Sequence, residues 1–281
     1  MREVCEFRVV EEFAPKLFAE KEGKRLGDTV RKVELATDDP RFDRIGELQR
    51  ETIAATGRSF FHGWNIRYFY SKAELAAARC FQLSVKAVFE PPGEKCGTVY
   101  DESEGCPLCR AGAEQVGPLF LNLNKIPKGK DFARTIADEI IVSRRAVDLF
   151  RQQGINGVDF GPVRHNSASR YGSEDWFQLL VQSAKAEIVP PTRVGIDPFD
   201  DDLKGECRCP RGDLIGLNLL SEVSIKSETR GQADVGCTRQ FIGTRRGLLR
   251  PRRLILISPK VWRLLESERL KGCEIEVAHL V

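Results

Sequence analysis

The sequence predicts an α+β fold: two divergent strand–helix–strand repeat units with a zinc knuckle, plus an N-terminal α+β segment. Three observations predict it. The apolar residues switch between a period of two and a period near 3.6 along the chain. A stretch around Ser143 matches one around Ser258 without a gap, 115 positions later. A Cys-x-x-Cys pair, Cys106 and Cys109, lies in a loop rich in glycine and acidic residues. The boundaries read as residues 1–90 for the N-terminal segment, 91–195 for the first repeat unit and 196–281 for the second, which carries a degenerate cysteine cluster.

Within the N-terminal segment, Glu6 to Val10 and Thr29 to Leu35 alternate as strands do. Ser71 followed by Glu74 is a capping box, so a helix is expected through Ala78. Phe81, Leu83, Val85 and Ala87 then return to period two, a strand running toward Pro91-Pro92-Gly93. The aromatic group Phe60, Phe61, Trp64, Tyr68, Phe69 and Tyr70 is expected in a core, or at an interface.

The repeat aligns Ile141-Val142-Ser143 with Leu256-Ile257-Ser258, Leu149 with Leu264, Phe150 with Leu265 and Gly157 with Gly272. Each copy reads as a buried β-branched strand, then a helix capped by Ser143 or Ser258, with Pro259 at the first helical position of the second copy. A glycine turn with positive φ and a short strand close the unit.

Nine cysteines require an account. The count is odd and the chain is long, so reduced thiols or metal ligands fit better than disulfides. Two thiolates at Cys-x-x-Cys spacing grip one tetrahedral ion, and Cys96 lies a loop length upstream. The fourth Zn2+ ligand is sought among Cys207, Cys209, Cys237 and His165; Cys209 is preferred, because Cys209-Pro210 repeats Cys106-Pro107. The expected metal set is therefore Cys96, Cys106, Cys109 and Cys209. A redox pair is disfavoured, because the acidic residues 101–104 should raise a thiol pKa. Cys5, Cys80 and Cys273 fall in apolar periodic segments and read as small buried hydrophobes.

No dinucleotide fingerprint, phosphate-binding loop, His-Glu-x-x-His or Gly-x-Ser-x-Gly motif occurs, and only three histidines do. The chain is not expected to be an enzyme; His165 and Asp197 would be the suspects if it were. The acidic run Asp197 to Asp202 reads as a solvated loop in preference to a hard-cation site. Charged residues make up 30% of the chain with a net charge of +3, which does not mark it as a nucleic-acid binder. One local exception exists: Val235 to Leu265 contains no acidic residue but holds Arg239, Arg245, Arg246, Arg250, Arg252 and Arg253. That block can hold phosphates, dock an acidic partner, or balance acidic loops of the same chain. No apolar run suits a bilayer, and Met1 to Phe13, with four glutamates, does not read as a secretory signal, so a cytoplasmic location without membrane attachment is expected.

Taken with the knuckle Cys106-Pro107-Leu108-Cys109, the repeated segments Ile141-Val142-Ser143 to Gly157 and Ile257-Ser258 to Gly272 resemble the double-CXXCG-motif family, which includes bacterial toxin-immunity proteins. The resemblance spans roughly residues 96–281. It implies a non-catalytic protein that binds and neutralises a partner toxin. The chain departs from the pattern in its second site, where Cys207-Arg208-Cys209 and Gly212-Asp213 stand in place of a full Cys-x-x-Cys-Gly, and at Arg110, which replaces the glycine after the first knuckle.

Overall fold

The computed structural model describes residues 1–167, 169, 171–200, 207–216 and 218–281. Helices and strands are both present, so the fold is mixed α+β. The chain divides into two compact units: Met1–Ala77 with residues 195–200, and the remainder from Ala78. The N-terminal unit thus stops short of residue 90, because the strand that follows Ala78 is built into the second unit.

In the first unit, β1 (Arg2–Val10), β2 (Lys24–Arg25), β3 (Val30–Ala36) and β4 (Phe61–Phe69) form an antiparallel sheet in the order β2-β3-β1-β4. Between β3 and β4 lies the helix α1 (Phe42–Thr56), which the sequence reading did not anticipate. Its buried residues, Ile45, Gly46, Leu48 and Thr52, are spaced for one face, but only Ile45 and Leu48 are large apolar anchors, so the pattern is faint. Phe60 and Phe61 are buried, as the aromatic group suggested, whereas Phe69 is exposed. The acidic loop brings Phe199 into this core, 5.9 Å from Phe7 and 5.1 Å from Phe42, ring centre to ring centre. Asp197 accepts the Phe199 amide, while Asp201 and Asp202 of the same run lie outside the described residues. The helix α2 (Lys72–Ala77) opens with the expected box: the Ser71 amide donates to Glu74 and the Glu74 amide to Ser71 Oγ.

The second unit runs through β5 (Phe81–Val85), β6 (Val88–Phe89), α3 (Gly93–Cys96), β7 (Val99–Asp101), β8 (Glu114–Val116), β9 (Leu119–Leu121), β10 (Phe132–Thr135), β11 (Ile140–Ser143), α4 (Arg144–Gln152), β12 (Val158–His165), β13 (Gly172–Val181) and β14 (Ala184–Ala186). After β15 (Val194–Gly195), whose second residue is counted with the first unit, and the short strands β16 (Asn218–Leu219) and β17 (Ser224–Ile225) come β18 (Val235–Thr238), β19 (Ile255–Ile257), α5 (Pro259–Ser267), β20 (Cys273–Val277) and β21 (His279–Leu280). Six strands form one sheet, in the order β6-β10-β11-β13-β12-β9; five form another, β14-β18-β19-β5-β20.

The two segments that match in sequence fold alike. Helices α4 and α5 start and stop at equivalent positions. Ser143 Oγ accepts from Ala146 N, and Ser258 Oγ accepts from Val261 N. Gly157 and Gly272 both have positive φ, 84° and 102°. What the sequence did not disclose is that neither segment pairs with itself. β13 separates β11 from β12, and β5 separates β19 from β20, each antiparallel to both neighbours. Each helix therefore crosses over an inserted strand, which lets two parallel strands flank an antiparallel one.

A reciprocal clasp joins the segments. Ser143 donates its amide to Asp131 O and its hydroxyl to Asp131 Oδ1, while the other oxygen of Asp131 accepts the Lys271 amide from the far segment. The mirror arrangement has Ser258 on Asp234 O and Oδ1, with Asp234 Oδ2 accepting the Asn156 amide at 3.4 Å. Each serine thus caps its own helix and orients the aspartate that grips the other segment. Ser143→Ala and Ser258→Ala should each lower stability by about 1–2 kcal/mol, measured as a shift in denaturation midpoint at constant slope.

Candidate metal centre

Between β7 and β8 the chain forms the knuckle. Cys106 N donates to Ala111 O, and Arg110 N donates to Cys106 O at 2.8 Å. Arg110 closes this turn at φ 60°, the left-handed conformation for which glycine is the ordinary choice. Cys209 arrives about 100 residues later on a tight turn of its own, in which Cys209 N donates to Asp213 O and Gly212, at φ 82°, donates to Cys209 O. One hydrogen bond joins the two arms, and a second ties the knuckle to the loop that carries Arg245. Arg211 donates to Glu104 O at 2.7 Å, and Arg245 N donates to Cys109 O at 3.0 Å.

The sulfurs of Cys106, Cys109 and Cys209 all lie within 4.8 Å of one another. All three residues are buried, at 1%, 0% and 5% exposure. With Ala111 they form a small core of their own, against which Ile215 and Phe241 pack. The backbone amides of Cys109 and Leu108 hold the Cys106 thiol below its ordinary value, whereas the acidic loop was expected to raise it. Burial pushes the Cys109 thiol up. A buried tetrahedral ion replaces thiol protons at such a site and satisfies sulfurs that otherwise crowd one another. Three buried sulfurs this close together can hold a metal ion.

The structure brings together three of the four expected ligands. Cys96 is not among them: it ends α3, where its thiol faces the Asn122 backbone and the Asn166 side chain. The expectation failed because the α3 turn, closed by Gly97 at φ 101°, packs Cys96 toward β9 and away from the knuckle. The other candidates are also elsewhere. Cys207 packs on the apolar core around Leu214 and Ile242. Cys237 lies beside Arg253. His165 accepts the Ser167 amide and faces Tyr171. Cys5 and Cys80 are fully buried as expected, Cys80 accepting from Arg230 Nε, while Cys273 is only partly buried.

The arginine block is largely engaged within the chain. Arg245 and Arg250 both pair with Glu94 and Glu102, and Arg250 also lies 4.0 Å above the Tyr100 ring. Arg239 pairs with Glu187, Arg252 sits 3.9 Å from Asp138, and Arg253 donates to Thr238 O and stacks on Phe241. Arg246 is exposed. Of the three roles open to this block, balancing the chain's own acidic loops is the one seen. Arg250→Ala should therefore act on stability, costing about 1–2 kcal/mol, and leave binding to mixed-sequence DNA unchanged across a salt titration. A loss of salt-dependent DNA binding without loss of stability would count against this assignment.

No protein-family model matches the sequence, and no curated protein matches it. Among the described residues no helix is long and apolar enough to cross a membrane.

Proposed function

We propose that this chain is a non-catalytic binding protein, stiffened by a structural zinc ion, that masks a partner protein in the manner of immunity proteins. The observation that carries the reading is the enclosure of the cysteine cluster. Catalytic zinc keeps a coordination position open to water or substrate, whereas structural zinc is closed on all sides. Here three buried thiols close on one another from loops far apart in sequence, which suits a cross-link. The two matched segments, read as copies of one unit, would form the scaffold this cross-link braces.

The knuckle loop also offers a surface for a partner. Val99 and Val116 face each other across the β7–β8 ribbon, and both are exposed, as is Leu108 inside the knuckle. Apolar side chains held out on a braced loop are suited to docking against another protein. The partner implied by the family resemblance is a toxin encoded beside this chain. The test is affinity capture from the native host with the metal-loaded protein as bait, followed by capture with Leu108→Asp. Stoichiometric recovery of the neighbouring gene's product, lost in the variant, is expected; capture of no protein would sink the proposal.

A further inference from the structure

The geometry points to Asp213 as the fourth donor of the metal centre, making it a three-thiolate, one-carboxylate site. The inference rests on the structural-zinc reading above and adds the residue that completes it.

Asp213 is buried, at 8% exposure, and its Oδ2 lies 3.5 Å from Cys209 Sγ and 3.9 Å from Cys109 Sγ. In a tetrahedral zinc site with ordinary Zn–S and Zn–O lengths, the sulfur-to-oxygen separation is about 3.5 Å. Both observed distances suit two donors on one ion, whereas the carboxylate falls outside the 4.8 Å grouping of the three sulfurs because Cys106 Sγ lies farther off, so binding of the ion has to draw Asp213 and Cys106 closer together. The other carboxylate oxygen is already committed: Oδ1 accepts the Phe241 amide at 2.9 Å, which fixes the orientation of the group. A ligating carboxylate is commonly held by such a bond.

The sequence of the two turns explains how an aspartate comes to this place. Cys209-Pro210-Arg211-Gly212-Asp213 can be laid beside Cys106-Pro107-Leu108-Cys109-Arg110. The second thiol of the first knuckle falls opposite Gly212, which has no donor. Gly212 instead takes the left-handed conformation that Arg110 takes one position later in the first knuckle. The turn of the second arm thus closes one residue earlier, and the side chain delivered to the sulfurs is that of Asp213. Cys207, the remaining thiol of this arm, packs into the neighbouring apolar core. A carboxylate carries the same charge as the thiolate it replaces, so the site's charge equals that of a four-cysteine centre.

The test uses the full chain with zinc and cobalt(II) as probes. Zinc stoichiometry is measured by native mass spectrometry, zinc affinity by competition with a chromophoric chelator, and the ligand set by the absorption of the cobalt form. Asp213→Asn keeps an acceptor for the Phe241 amide but removes the anionic donor; it should weaken zinc binding by more than about 100-fold, beyond the range seen for outer-shell partners. Asp213→Cys should retain one zinc and strengthen the thiolate-to-cobalt charge-transfer band. If the wild-type chain binds one zinc and Asp213→Asn binds it equally well with an unchanged cobalt spectrum, Asp213 only accepts thiol hydrogen bonds and the inference is overturned, while structural zinc stands. A wild-type chain that takes up no zinc overturns both.

Discussion

If the cysteine cluster holds the proposed zinc, replacing Cys109 with serine should release it and strip the second unit of a tie between two loops about 100 residues apart. The proposed cross-link between the knuckle and Cys209 would close a loop of about 100 residues, and by the chain-entropy estimate a tie of that length is worth about 4.7 kcal/mol. For a domain of this size the loss corresponds to a fall in melting temperature of roughly 10–15 °C. Differential scanning calorimetry of the wild type with and without a strong chelator should show the same fall, and chelator should no longer act on Cys109→Ser. Since thiolates must be formed for the ion to bind, zinc affinity should also weaken as pH falls. A wild-type melting temperature indifferent to chelator would remove the structural role assigned to the cluster.

Alanine at Gly157 or Gly272 should be nearly as damaging, for a reason located in the clasps. A Cβ at Gly157 would lie 2.0 Å from Val235 O, and one at Gly272 would lie 2.0 Å from Phe132 O. Those carbonyls belong to the first residues of β18 and β10, so neither can retreat without pulling on a sheet. The left-handed backbone adds its own penalty of about 1 kcal/mol, and the displaced strand about 1–3 kcal/mol more. Gly154 provides the control: its φ is also positive, yet nothing lies within 4 Å of its added Cβ. The residue equivalent to it in the other segment, Arg269, already adopts φ 50° with a side chain. Gly154→Ala should therefore cost only about 1 kcal/mol, and urea denaturation of the three variants separates close approach from backbone strain.

What could be read from the sequence was local. The capping box at Ser71, the serine caps of α4 and α5, the turns at Gly157 and Gly272 and the pairing of Cys106 with Cys109 all depend on residues a few positions apart, and each is where the pattern put it. Longer-range relations were less legible. Cys209 was reached through the shared Cys-Pro dipeptide, but Cys96 was chosen by nearness along the chain, and nearness did not survive the turn at Gly97. Gly212-Asp213 stood out only as the place where a second knuckle is incomplete; Asp213 itself did not read as a ligand, because a single aspartate beside a glycine ordinarily marks a turn. The arginine block stood out in the sequence because its counter-charges, Glu94 and Glu102, lie about 150 residues upstream and no linear window contains both.

The insertion of β5 between β19 and β20 sets an order of events during synthesis. Phe81–Val85 leaves the ribosome long before its neighbours, which span Ile255–Ile257 and Cys273–Val277. For that whole interval a strand with Phe81, Gln82, Leu83 and Val85 all destined for the interior has neither flank paired. Non-local pairing of this kind folds slowly, and an open apolar strand invites wrong partners while it waits. The nascent chain should thus need shielding by a chaperone until residue 277 has emerged, and a ribosome stalled after β14 should display a sticky, protease-sensitive intermediate in which the five-stranded sheet has not begun to form.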